Sequence, residues 1–163
     1  MDEFTLILNC HGIYDDFMVA KVRDCTDELD NENDRAMVKL FWHRNRQVND
    51  HAYFCLLAFQ LEQFVKYSFA RLCDRRLMMA ASPDRIAWER VKAQKTDFLT
   101  MLRFLLPQDT HLYDRARELY RDRNKIAHEA ELSLPIQMSA TQRDIEVITT
   151  RIKTTLSTLE AAP

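Results

Sequence analysis

The clearest pattern in the chain lies between 52 and 77, where Phe54, Leu57, Ala58, Leu61, Phe64, Val65 and Phe69 recur three and four residues apart. That spacing puts them on one face of a helix and predicts a central core helix, with Asn49-Asp50 as its N-cap. A helix over about 35–48 precedes the break. Ahead of it, residues 26–34 carry five acidic and no basic side chains. They read as a solvated connector ending in a cap at Asn33 or Asp34. Residues 13–25 have a mixed periodicity that suits a short helix, and the apolar run at 4–8 is either a strand or the start of that helix.

Downstream, Ser82-Pro83-Asp84 opens a third helix over about 85–106, which Pro107 stops. Asp109 or Thr110 caps a fourth over about 111–130. Residues 132–135 form an extended loop, because the residue before Pro135 avoids α geometry. Ser139-Ala-Thr-Gln142 is a capping-box sequence that opens a last helix to about 160. No repeat or low-complexity segment interrupts this order. The expected fold is all-α: an antiparallel bundle of about five helices in a single domain over 1–163, with 1–34 an N-terminal extension and acidic connector and 35–160 the bundle.

Composition narrows the chemistry. A chain of 163 residues that is 47% hydrophobic can bury a core of its own, and it contains one glycine, Gly12. Phosphate-cradling loops and tight turns depend on a residue that tolerates positive φ. A P-loop, a G-x-G-x-x-G fingerprint and a nucleophile elbow are therefore excluded by counting. Cys10, Cys25, Cys55 and Cys73 lie far apart with no C-x-x-C, and nothing near Cys10-His11 completes a ligand set. No metal and no cofactor is expected, and the cysteines read as buried free thiols in a reducing compartment. The run at 4–8 is too short for a signal peptide or a membrane span, so the expected setting is cytoplasmic, away from membranes.

The formal net charge of −2 conceals an uneven distribution. On a helical wheel centred on Arg123, residues Leu112, Ala116, Leu119, Tyr120, Ile126, Ala127 and Ala130 all fall within about 60° of it. An arginine in the middle of an apolar face needs a partner, so it marks an internal ion pair, an interface or a site. Arg117, Arg121, Asn124 and His128 stack as one stripe at spacings of four, three and four, bordered by Lys125. Across 115–125, Arg115, Arg117, Arg121, Arg123 and Lys125 outnumber Glu118 and Asp122. This basic face suits a phosphate-bearing partner.

The run Arg121-Asp-Arg123-Asn124-Lys-Ile-Ala-His128-Glu resembles the R-x4-6-H motif of the HEPN (higher eukaryotes and prokaryotes nucleotide-binding) superfamily, in which a polar residue, here Asn124, follows the arginine. The detailed match covers about ten residues, and the order and length of the helices carry the rest. The resemblance implies an HEPN-like helical domain acting as a metal-independent endoribonuclease, with a composite active site where two protomers bring their motifs together. It implies an RNA substrate, a homodimer, and a toxin or antiphage-defence role with an antitoxin or defence-system partner. Glu118 resembles the acidic residue of an extended form of the motif and is a candidate supporting residue, although Asp122 stands where that form has lysine. The tyrosine that members paired with a nucleotidyltransferase antitoxin often carry two residues after the histidine is replaced by Ala130. A second R-x4-H at Arg46 and His51 spans the expected break at Asn49-Asp50 and is set aside.

Metal-free RNA cleavage needs a base for the 2′-hydroxyl, an acid for the leaving 5′-oxygen and positive charge on the phosphorane. A free imidazole, with a pKa of about 6.5, serves the first two, and a guanidinium serves the third. The expected catalytic residues are His128, Arg123 and Asn124, with Arg117, Arg121 and Lys125 contacting RNA. Arg123 and His128 stand about 140° apart on an ideal helix, so one helix cannot easily aim both at one phosphate. A two-fold dimer with the helices face to face solves this. The plainer readings are a surface histidine favoured by the helix dipole, an Arg123–Glu118 ion pair and a solvated basic face. On these, the chain is a non-catalytic helical module that binds a protein or nucleic acid through the same face. The aromatic and basic run Phe41-Trp42-His43-Arg44-Asn45-Arg46 suits base stacking and phosphate contact, although Phe41 and Trp42 read first as core or dimer residues. Arg71, Arg75, Arg76, Arg85, Arg90, Lys92 and Lys95 form a second basic region that is either a binding face or solvated helix surface.

Overall fold

A computed structural model describes residues 3–79, 81–129 and 133–160. It contains six helices: α1 (Glu3–Asp27), α2 (Glu32–Met79), α3 (Ser82–Ala93), α4 (Phe98–Leu105), α5 (Thr110–Glu129) and α6 (Met138–Glu160). No strand occurs among the described residues. The all-α expectation therefore stands, with one helix more than the expected five.

The N-terminal residues form one helix of 25 residues in place of a strand and a short helix. Asn31 sets the start of α2: its Oδ1 accepts the backbone N–H of Asn33 at 2.9 Å, and its carbonyl accepts Arg35 N at 3.1 Å. The cap thus lies two residues ahead of Asn33 and three ahead of Asp34, the two expected positions.

The expected break at Asn49-Asp50 is absent, and α2 continues through it for 48 residues. Asparagine and aspartate end helices by competing for backbone groups, but here their side chains are engaged elsewhere. Asn49 Nδ2 donates to Tyr14 Oη at 2.5 Å and to the Asn45 carbonyl, while Asp50 Oδ1 meets His11 Nε2 at 2.7 Å. Arg46 adds a contact one turn earlier, Nη2 donating to Asp15 Oδ2 at 2.6 Å. Polar groups that looked like punctuation are the means by which α2 grips α1.

The expected helix over 85–106 is two helices, because Asp97 caps a new one. Its side chain accepts from Thr100 N at 3.0 Å and from Thr100 Oγ1 at 2.7 Å. Helix α6 starts one residue ahead of Ser139, and the capping box does not form: Gln142 Nε2 turns forward to Glu146 Oε1 at 2.9 Å. Residues 133–137 are non-helical, as expected before and after Pro135, while Leu132 lies outside the described residues.

The chain sorts into two compact units, Met1–Ala58 with Asp122–Thr141, and Phe59–Arg121 with Gln142–Pro163. The second unit holds most of the apolar core, including Leu61, Val65, Leu102, Leu105, Ile148 and Ile152. Phe98 stacks on Tyr120 within it, with ring centroids 4.7 Å apart. In the first unit much of the apolar surface stays open: Leu6, Ile13 and Phe17 on α1 and Met37, Phe41 and Val48 on α2 are all more than half exposed.

Candidate functional site

Helix α5 begins where the Asp109 carbonyl accepts Tyr113 N at 2.9 Å. Ala116 and Leu119 are buried, whereas Tyr120 and Ile126 are half-buried and Ala127 is exposed. The apolar face of the sequence is real at its start and fades toward the C-terminus. Arg123 sits where it fades, half-buried, with Nη1 donating to Asn124 Oδ1 at 2.8 Å. Burial pushes the Cys55 thiol up, and the positive charge of Arg123 partly offsets this. The guanidinium therefore acts on α2 as well as on its own helix.

Asn124 and Lys125 are half-buried, and His128 is exposed in the last turn of α5. The amide oxygen of Asn124 is held by Arg123, so within α5 it supports the arginine directly. Arg117 and Arg121 are exposed on the part of α5 that belongs to the second unit. Glu118 is taken by another residue: its Oε2 accepts from Arg115 Nη1 at 2.6 Å, and Arg115 also pairs with Asp144. Those two carboxylates, Asp144 foremost, hold the Arg115 pKa above its ordinary value.

The second R-x4-H copy lies on one helix after all, so the break that set it aside does not exist. Packing occupies it instead. Arg46 is paired with Asp15, and His51 is buried with Nδ1 at 2.6 Å from the Gln47 carbonyl, as a donor to it. Together with His43 and Asp50 they line a hollow of about 300 Å³, and the buried Nε2 of His51 has no hydrogen-bond partner among the described residues. In the aromatic and basic run, Phe41 is exposed and meets Trp42 edge to face at 5.8 Å.

Of the other basic residues, Arg85 pairs with Glu89 and Lys92 with Asp74, while Arg76 lies over Trp88 beside a cavity of the second unit. The four cysteines carry no disulfide, but only Cys73 is buried; Cys10 is exposed and the other two are intermediate, which corrects the expectation of buried thiols. Among the described residues, no group of three or more His, Cys, Asp or Glu side chains is placed to hold a metal ion. No described helix is long and apolar enough to cross a membrane. Compared with known proteins, the chain matches no family model, no curated protein and no solved structure.

Proposed function

We propose that the protein is a metal-independent endoribonuclease of HEPN type, with His128 and Arg123 as catalytic residues and Asn124 as the residue that positions the guanidinium. The observation that carries this reading is the last two turns of α5. One continuous helix bears a guanidinium held by an adjacent amide and, five residues on, an exposed imidazole. In the reaction, an imidazole takes the proton of the RNA 2′-hydroxyl and the 2′-oxygen attacks phosphorus. Arg123 stabilises the charge on the phosphorane, and the 5′-oxygen leaves with a proton from a second imidazole. The products are a 2′,3′-cyclic phosphate and a free 5′-hydroxyl.

Two imidazoles and two guanidiniums at one phosphate require two copies of α5, hence a homodimer. The apolar residues left open on α1 and α2 belong to the same unit as Arg123 and His128. An interface through that unit would bury them and support the dimer.

The test is cleavage of single-stranded RNA by the purified protein in EDTA. Wild type cuts, while His128→Ala and Arg123→Ala lose roughly 100-fold or more, the usual share of a general acid or base. Arg123→Lys also fails, because an ammonium lacks the planar fork. Circular dichroism verifies that each variant keeps its helices. RNA binding without cutting by the wild type would leave the non-catalytic module as the correct reading, and relief of toxicity on expression by His128→Ala would argue against it.

A further inference from the structure

Five segments of the second unit line an open pocket of about 440 Å³, within the size range of small-molecule sites. The end of α2 supplies Leu72 and Arg76, α3 supplies Trp88, α4 supplies Arg103 and Phe104, the following loop supplies Asp109, and α6 supplies Arg151 and three threonines. We propose that this cavity binds a ring-bearing phosphate monoester, of which a nucleoside 5′-monophosphate is the simplest biological example.

Charge argues for the anion. Arg151 is paired with Asp109, but among the described residues Arg76 and Arg103 meet no carboxylate. They rest on ring faces instead, Arg76 at 5.9 Å from the Trp88 centroid and Arg103 at 5.4 Å from that of Tyr113. A guanidinium laid over a ring keeps its in-plane N–H groups open, the geometry that grips phosphate through forked hydrogen bonds. Three arginines against one aspartate leave the cavity positive in a chain that is slightly negative overall.

The walls argue for the rest of the ligand. Trp88 and Phe104 meet edge to face at 5.8 Å and offer apolar surface to a flat ring. Each threonine hydroxyl has spent its proton on a carbonyl of α6: Thr154 on Thr150 at 3.0 Å, Thr155 on Arg151 at 3.1 Å and Thr158 on Thr154 at 2.9 Å. What they can still offer is acceptor lone pairs, suited to the N–H and O–H donors of a base or a sugar. Inorganic phosphate would leave the aromatic wall bare, and an uncharged nucleoside would leave the arginines unanswered.

Titration calorimetry on the full chain tests this with AMP, GMP and UMP as probes, beside adenosine and inorganic phosphate. At least one nucleotide binds tenfold or more tightly than either comparison compound. Arg76→Ala and Arg103→Ala each weaken that nucleotide about tenfold, the worth of one charged hydrogen bond. Arg143→Ala, which removes an exposed arginine of α6 outside the cavity, leaves it unchanged. Competition by a 5′-phosphorylated RNA hexamer separates a chain end from a free nucleotide as the source of the same chemistry. The proposal is overturned by any of three results: no nucleotide binds at millimolar concentration, adenosine or phosphate binds as tightly as the nucleotide, or both cavity arginine variants bind as wild type does.

Discussion

Single residues decide local questions here by the partner each one finds. The Asp97 carboxyl, held by the hydroxyl and then the backbone N–H of Thr100, stays below its ordinary pKa. A depressed folded value contributes stability above the unfolded pKa of about 3.9, and that contribution is lost as pH falls through the folded value. Asp97→Ala should therefore cost about 1 kcal/mol in urea unfolding at pH 7, as for other N-caps, and the gap from wild type should narrow at pH 3. Cysteine reactivity follows the same logic. Burial first, then the neighbouring Asp74, push the Cys73 thiol up, whereas Cys10 is exposed. Alkylation followed by mass spectrometry should label Cys10 well before Cys73. The motif resemblance, added to the helical wheel, named Arg123, Asn124 and His128, but nothing in the sequence said that Asn124 would hold Arg123 or that Arg115 would claim Glu118. Those outcomes depend on rotamers and on Asp144, which is 29 residues away from Arg115.

Among the helices, the sequence placed α5 and α6 to within a residue or two, α5 from the cap at Asp109 or Thr110 and α6 from the Ser139-Ala-Thr-Gln142 run, even though the capping box itself does not form. It failed at Asn49-Asp50 and at Asp97 for a shared reason. Whether a capping side chain binds its own backbone or a distant group is not a local property. Asp50→Ala should leave α2 unbroken while loosening α1, seen as faster hydrogen exchange in Glu3–Asp27 with Glu32–Met79 unchanged. Gly12 offers a second test of α1. It is exposed within the helix, and a Cβ built there meets nothing within 4 Å. Gly12→Ala should stabilise the protein by about 0.5–1 kcal/mol, the helix-propensity difference, measured by urea unfolding.

At the scale of the whole molecule, burial is unequal: most of the buried apolar residues lie in the second unit, and more of the exposed large ones lie in the first. If that open surface is the dimer interface, Ile13→Glu or Met37→Glu should shift the protein to monomer in light scattering and reduce RNA cleavage together with it. Loss of the dimer with cleavage retained would remove the composite site from the mechanism. Arg76 was visible in the sequence only as one of a run of basic residues, while Arg103 and Arg151 carried no signal there. They become a cavity because α2, α4 and α6 bring together side chains 27 and 48 positions apart in the chain. By itself the sequence determined what depends on neighbours a few residues away: an all-helical chain, the stops at Pro107 and Pro135, and the spacing of arginine, asparagine and histidine on α5. The tertiary structure alone decided which polar side chains were already spoken for, which arginines met no carboxylate and which apolar faces stayed open. Each of those outcomes depends on contacts between residues that are distant along the chain, and local periodicity carries no information about them.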